Sequence, residues 1–201
     1  MGQKHGFRLA ELSLGGGFAV QYLVGEPVPP ISEYADCFTS TMKRKAGELG
    51  LPLPRLVIEP GRSVVARAGV ALYEVGVIKD IPGIRTYVSV DGGMADNIRP
   101  ALYQSRMEAV VANRMNAGVA GTYTICGKFC ESGDVLIQDI ALPAMSAGDI
   151  IAVPGSGAYN IPQSCNYNAF CRPAVVMVRE GSARVIKRRE TIDDLIACDV
   201  D

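Results

Sequence analysis

Leu56-Val57-Ile58-Glu59-Pro60-Gly61-Arg62 is the stretch from which the rest of the chain can be read. Its three apolar residues make a short buried strand, and Pro60-Gly61 ends it. Upstream, Ile31, Tyr34, Ala35, Phe38, Met42 and Leu49 recur at mostly helical spacing. Gly50 closes that helix, and Pro52 and Pro54 prevent its continuation. Further upstream, residues 12–14 form another short apolar run that stops on Gly15-Gly16-Gly17. Strand, helix, strand is a βαβ unit, and it implies parallel pairing. Ligands of parallel α/β architectures bind at the C-terminal ends of the strands. The glycine triplet and the Glu59–Arg62 turn, at two successive strand ends, are therefore expected to face one cavity. Parallel strands are normally flanked by further strands, so this unit reads as the last part of a larger barrel.

Beyond Arg62 the pattern changes. Residues 64–79 are rich in Val, Pro82-Gly83 marks a turn, and 86–90, 135–142, 150–153 and 174–178 are further β runs. Glu180-Gly181 turns the chain into 183–187. Thr191, followed by Asp193 and Asp194, is a helix start with its acids at the positive end of the dipole. The expected fold is α/β plus all-β. Residues 1–66 form the C-terminal strands of a (β/α)8 barrel, and 67–201 an antiparallel β-sandwich or barrel with a short C-terminal helix. The change of pattern falls near residues 62–69.

Composition narrows the function. The chain has 201 residues with 20 Lys plus Arg against 21 Asp plus Glu, a formal charge of −1, which argues against a nucleic-acid polyanion as partner. No apolar run approaches the ~20 residues that cross a bilayer, so no membrane partner is expected. Six cysteines without a CxxC pair suggest free thiols in a cytoplasmic protein and no zinc site. The single histidine, His5, excludes most chemistry built on a histidine base or several histidine ligands.

Five turns carry candidate chemistry, each with a plainer reading as an ordinary turn or core residue. Gly15-Gly16-Gly17 lets backbone N–H groups point at an anion such as phosphate. Arg62 offers a fork for a carboxylate or phosphate, and Glu59 an acceptor for a cationic group. Asp91-Gly92-Gly93-Met94-Ala95-Asp96-Asn97-Ile98-Arg99-Pro100 reads as a shaped loop from which Arg99 and Tyr103 can reach one substrate group. In Cys130-Glu131-Ser132-Gly133-Asp134 the thiol stands among carboxylates, which favour its protonated form, and a protonated thiol donates rather than attacks. Gly155-Ser156-Gly157-Ala158-Tyr159 would display Tyr159 on a flexible loop. Cys126 fits a buried structural role better.

Taken in this order and at these spacings, the motifs closely resemble the diaminopimelate decarboxylase family, in the alanine-racemase-like group of pyridoxal-phosphate-dependent decarboxylases. The resemblance runs from about Leu12 to the Arg188–Leu195 tail, and the Cys130–Asp134 run is its most discriminating part. It implies pyridoxal 5'-phosphate as cofactor and conversion of meso-2,6-diaminopimelate to L-lysine. Gly16 and Gly17 would lie in the phosphate turn, with Gly61 and Arg62 also on phosphate. Glu59 would approach the pyridine nitrogen. Arg62, Arg99 and Tyr103 would bind substrate, with Arg99 and Tyr103 on a carboxylate. Cys130 would protonate the carbanion and Glu131 would recognise the distal amino group, both reaching the second subunit's site in a homodimer with shared active sites. Tyr159 would touch cofactor and substrate.

That chemistry is consistent with the residue types. Loss of CO2 from an amino acid leaves a carbanion that needs the cofactor's π-system, and a thiol with an ordinary pKa of ~8.5 can then deliver a proton. The family's Schiff-base lysine, however, lies on the first barrel strand in a YAxKAN-like run. None of Lys4, Lys43, Lys45, Lys79, Lys128 and Lys187 has that context. The expectation is an incomplete C-terminal portion, inactive alone, that requires the missing N-terminal half. Two other readings are a non-catalytic dimerisation or regulatory fragment, motivated by the absent lysine, and a decarboxylase for another basic amino acid, against which the Cys130–Asp134 motif speaks.

Overall fold

The computed structural model describes residues 2–200. After a one-turn helix α1 (Gly2–His5), strand β1 (Glu11–Ser13) leads through the glycine triplet and a proline-rich loop into helix α2 (Ile31–Glu48). Strand β2 (Arg55–Val57) returns parallel to β1, with Glu11 opposite Arg55 and Ser13 opposite Val57. The βαβ unit is therefore present. Its helix is seated by an aromatic cluster in which Phe18 meets Tyr34 and Phe38 edge-on, with ring centroids 5.1 and 6.1 Å apart. β1 and β2 form a sheet of two strands only.

Helix α3 (Arg62–Val65) and a 3-10 turn at Ala66–Ala68 carry the chain into β3 (Val70–Ile81). β4 (Arg85–Val90), α4 (Arg99–Tyr103), β5 (Val110–Val111), β6 (Gly121–Cys126), β7 (Val135–Leu142) and β8 (Ile150–Pro154) follow. Six of these strands make one sheet in the order β5-β8-β3-β4-β6-β7. β3 changes partner along its length. Val70–Glu74 pair with β8, whereas Val75–Ile81 pair with β4. A bulge between Val75 and Ile78 makes the corner. There the Ser89 hydroxyl accepts from Val77 N–H (2.8 Å) and lies 3.2 Å from the Val77 carbonyl, which satisfies the backbone that the bulge frees. The sheet curls around a core of Tyr73, Val75, Val88, Val90, Met107, Val111, Ile125, Leu136, Ile151 and Val153.

One expectation is corrected here. The sheet is mixed, not antiparallel, because β4 and β6 pair in parallel from Thr86–Tyr123 to Ser89–Cys126. The long connection between them, containing α4 and β5, brings the chain back to the same end, which parallel pairing requires. Strands β5 and β6 were also not foreseen.

α5 (Asn160–Gln163) precedes a two-stranded antiparallel hairpin, β9 (Val175–Arg179) with β10 (Ser182–Lys187). α6 (Ile192–Leu195) opens at Thr191 with a reciprocal capping box to Asp194, as the sequence predicts for that position. No described helix is long and apolar enough to cross a membrane.

Candidate active site

The two parallel strand ends are knitted together. Glu59 N–H donates to the Gly15 carbonyl at 2.8 Å, and Leu14 N–H donates to the Val57 carbonyl at 3.2 Å. The Ser13 hydroxyl donates to the Glu59 carboxylate at 2.6 Å and accepts from Gly15 N–H at 3.2 Å. Gly16 stands so close that a Cβ would collide with the Glu59 carbonyl, so only glycine fits. Gly17 is exposed and meets no such restriction. Gly61 precedes α3, and Arg62, its first residue, is half-buried.

Arg62 lines a cavity of about 460 Å³ with Tyr22, Leu23, Glu26, Arg99, Ser105 and Arg106. Three guanidinium groups thus face one carboxylate. Glu26 is already engaged, accepting from the Tyr22 and Leu23 amides at 2.8 and 3.2 Å, and these bonds, the Tyr22 one foremost, hold its carboxyl below the usual range. Among the described residues none of the three arginines forms an ion pair within 4.0 Å. A lining with three arginines and one carboxylate already engaged suits an anion.

Arg99 was expected on a loop. It instead begins α4, with Pro100 in the first turn where a missing N–H costs nothing. Its side chain is buried, its Nη2 donates to Ser105 Oγ at 3.4 Å, and its Nε has no partner. The guanidinium carbon lies 5.1 Å from the Tyr22 ring centroid and 5.4 Å from that of Tyr159. Tyr159 holds a left-handed backbone, with φ of 69°, which is uncommon for a bulky side chain. The turn that displays it is locked in place, since Ser156 N–H donates to the Gly69 carbonyl and Gly157 N–H to the Ala66 carbonyl, both at 2.9 Å. A Cβ at Gly157 would meet the Val65 carbonyl. The structure therefore brings Arg62 and Arg99 to one cavity and sets Tyr159 against Arg99, although Tyr159 does not itself line the cavity. Tyr103 is exposed and does not line the cavity.

Cys130 and Glu131 also lie outside this cavity, on an exposed turn. That turn is held by Asp134, whose buried carboxylate accepts from Met94 N–H at 2.7 Å and Phe129 N–H at 2.8 Å. Burial pushes the Asp134 carboxyl up, against the pull of those two amides. The loop before Arg99 and the Cys130 turn are thereby fastened to each other. Cys126 is half-buried, and burial, then Asp134, push its thiol up, which accords with a structural role.

Tyr22, Glu26, Ser105 and Arg106 were not singled out from the sequence. Glu26, just after Gly25, carried the only local signal, since an acid after such a turn commonly caps nearby amides.

Two models of pyridoxal-dependent decarboxylases match the chain. The pyridoxal binding domain matches residues 1–66, and the C-terminal sheet domain matches 62–157. The diaminopimelate decarboxylase of Synechocystis sp. is 46% identical over 98% of this chain and 42% of its own length. That of Bacillus subtilis is 47% identical over 94% of this chain and 43% of its own length. A crystal structure of the M. jannaschii diaminopimelate decarboxylase in co-complex with L-lysine superposes with a TM-score of 0.89 at 35% identity, covering all of this chain and 45% of that one. The chain thus spans less than half the length of these relatives.

Proposed function

The chain belongs to the pyridoxal-dependent decarboxylases, and from that premise we propose that it forms part of an enzyme converting meso-2,6-diaminopimelate to L-lysine. The observation that carries this reading is the convergence of Arg62 and Arg99 on one cavity beside the knitted ends of β1 and β2.

The residues fit pyridoxal phosphate in two of its three parts. Gly16, tight against Glu59, and the Gly61-Arg62 amides suit the phosphate, and the Glu59 carboxylate suits the protonated ring nitrogen. The aldehyde needs an amine, and among the described residues no lysine lines the cavity. When bound, the cofactor supplies the electron sink for the pair left behind by CO2. Arg62 and Arg99 hold substrate carboxylate, and the Tyr159 ring lies beside the Arg99 guanidinium. Cys130 Sγ delivers the replacement proton, and Glu131 accepts the distal ammonium. The family resemblance assigns both to the neighbouring site of a homodimer, and their place outside this chain's own cavity is consistent with that.

The amine, and the strands that flank β1 and β2, come from further sequence of the complete enzyme. A two-stranded parallel sheet with open edges supports this, since such sheets are normally extended on both sides. The test is to supply the barrel half of the B. subtilis relative in trans and to follow product. Lysine from diaminopimelate is the expected result, and turnover of ornithine or arginine instead would overturn the substrate. In the reconstituted enzyme Cys130→Ala should lower turnover by about 100-fold or more, as loss of a general acid does, with cofactor affinity nearly unchanged. Equal losses of both would refute the proton-donor role.

A further inference from the structure

We propose that Tyr22 is a further binding and positioning residue of the cavity, stacking on Arg99 and adding a neutral hydrogen-bond donor for a carboxylate; this rests on the cavity being the substrate-carboxylate site. Two of the residues that line the cavity carry a buried donor without a partner among the described residues, Arg99 at Nε and Tyr22 at its hydroxyl. Buried donors without acceptors are rare and costly, so a group that satisfies both is expected in the loaded state. Among the described residues none supplies an acceptor for them. Glu26, the one acid lining the cavity, is spent on the Tyr22 and Leu23 amides. A carboxylate has two oxygens, each able to accept, and Arg62 and Arg106 in the same wall match its charge.

Tyr22 is also fixed in place. Its amide is held by Glu26 at 2.8 Å. Its ring packs against both buried clusters, the Val20–Ala66–Ala158 group and the core inside the curled sheet. A Cβ on Gly155 would stand only 3.1 Å from the Tyr22 ring, so glycine at that position lets the ring lie close against the turn. The guanidinium of Arg99, 5.1 Å from the ring centroid, is thus oriented by a residue from the βαβ part of the chain, although Arg99 itself leads to the curled sheet.

The test uses the full chain labelled with 15N-arginine, with meso-2,6-diaminopimelate as probe. The Arg99 Nε–H resonance, assigned by its loss in Arg99→Lys, should be displaced by the aromatic rings and should move saturably with probe. Tyr22→Phe keeps the ring and should keep the displaced resonance, while weakening probe affinity about tenfold, the loss expected for a hydrogen bond to a charged partner. Tyr22→Leu should lose part of the displacement as well, the Tyr159 ring keeping the rest; if it does not fold, the Phe variant still decides. A Tyr22→Phe affinity within twofold of the parent overturns the role of Tyr22 and leaves the cavity reading intact. Undiminished binding by Arg99→Lys, or no saturable shift in the parent chain, overturns the cavity reading itself.

Discussion

At the scale of single residues, Asp134 shows how a buried charge can be a structural pin. Its carboxylate closes two loops with two amide bonds, and the backbone around it is cut to fit. A Cβ at either Gly93 or Gly127 would press on its oxygens. Asp134→Ala leaves the Met94 and Phe129 amides without acceptors, at a cost of about 3 kcal/mol. Urea denaturation of the two proteins should show that difference as a lower midpoint. The same substitution should loosen the Cys130 turn, seen as faster amide exchange at residues 129–134. Much at this scale was legible in the sequence because it sits in turns, where a glycine or an acid is readable without knowing the fold. Gly16 and Glu59 were found that way. Tyr22 was not, because its role depends on an arginine 77 positions later that only the folded chain brings beside it.

At the scale of elements, periodicity was a good guide to long pieces and a poor one to short pieces. The helix predicted from Ile31 to Leu49 runs from Ile31 to Glu48, and the C-terminal hairpin and the Thr191 cap stand where expected. α4, with five residues and a proline, is too short to display a period. β6 places Thr124, wholly buried, among its apolar residues, which breaks the usual alternation. The β9–β10 hairpin is itself fastened by one carboxylate. Glu190 accepts from the Arg172 amide at 2.8 Å, its guanidinium at 2.7 Å and Asn166 at 2.7 Å, and these bonds lower its pKa from 4.5 to about 2. A carboxyl depressed by folding stabilises the fold above its unfolded value and loses that contribution as it is protonated. Glu190→Gln should therefore be less stable than the parent at pH 7. The gap should narrow as pH falls below about 4.5 and vanish near pH 2. Thermal melts of both proteins across that range check it, and a gap independent of pH would count against the pin.

At the scale of the whole molecule, the βαβ unit and the curled sheet are joined through few but specific ties. Tyr22 touches both buried clusters, and Glu108 accepts the Val24 amide at 3.1 Å. The anion cavity opens at that seam, with Arg62 from one side and Arg99 from the other. The change of hydrophobic pattern near residues 62–69 is legible in the sequence. The seam is not, because it is made of tertiary contacts alone. The partner exchange along β3 also has a kinetic consequence. Its second half pairs with β4 across a turn of three residues, whereas its first half must find β8 from about eighty residues away, a far slower search because closure entropy grows with separation. Pulse-labelled refolding should show amides of Lys79–Tyr87 protected before those of Val70–Glu74. During that interval the first half of β3 is an unpaired strand edge with Tyr73, buried once the fold is complete, still uncovered, so aggregation during refolding should grow with the length of that interval and be relieved by dilution.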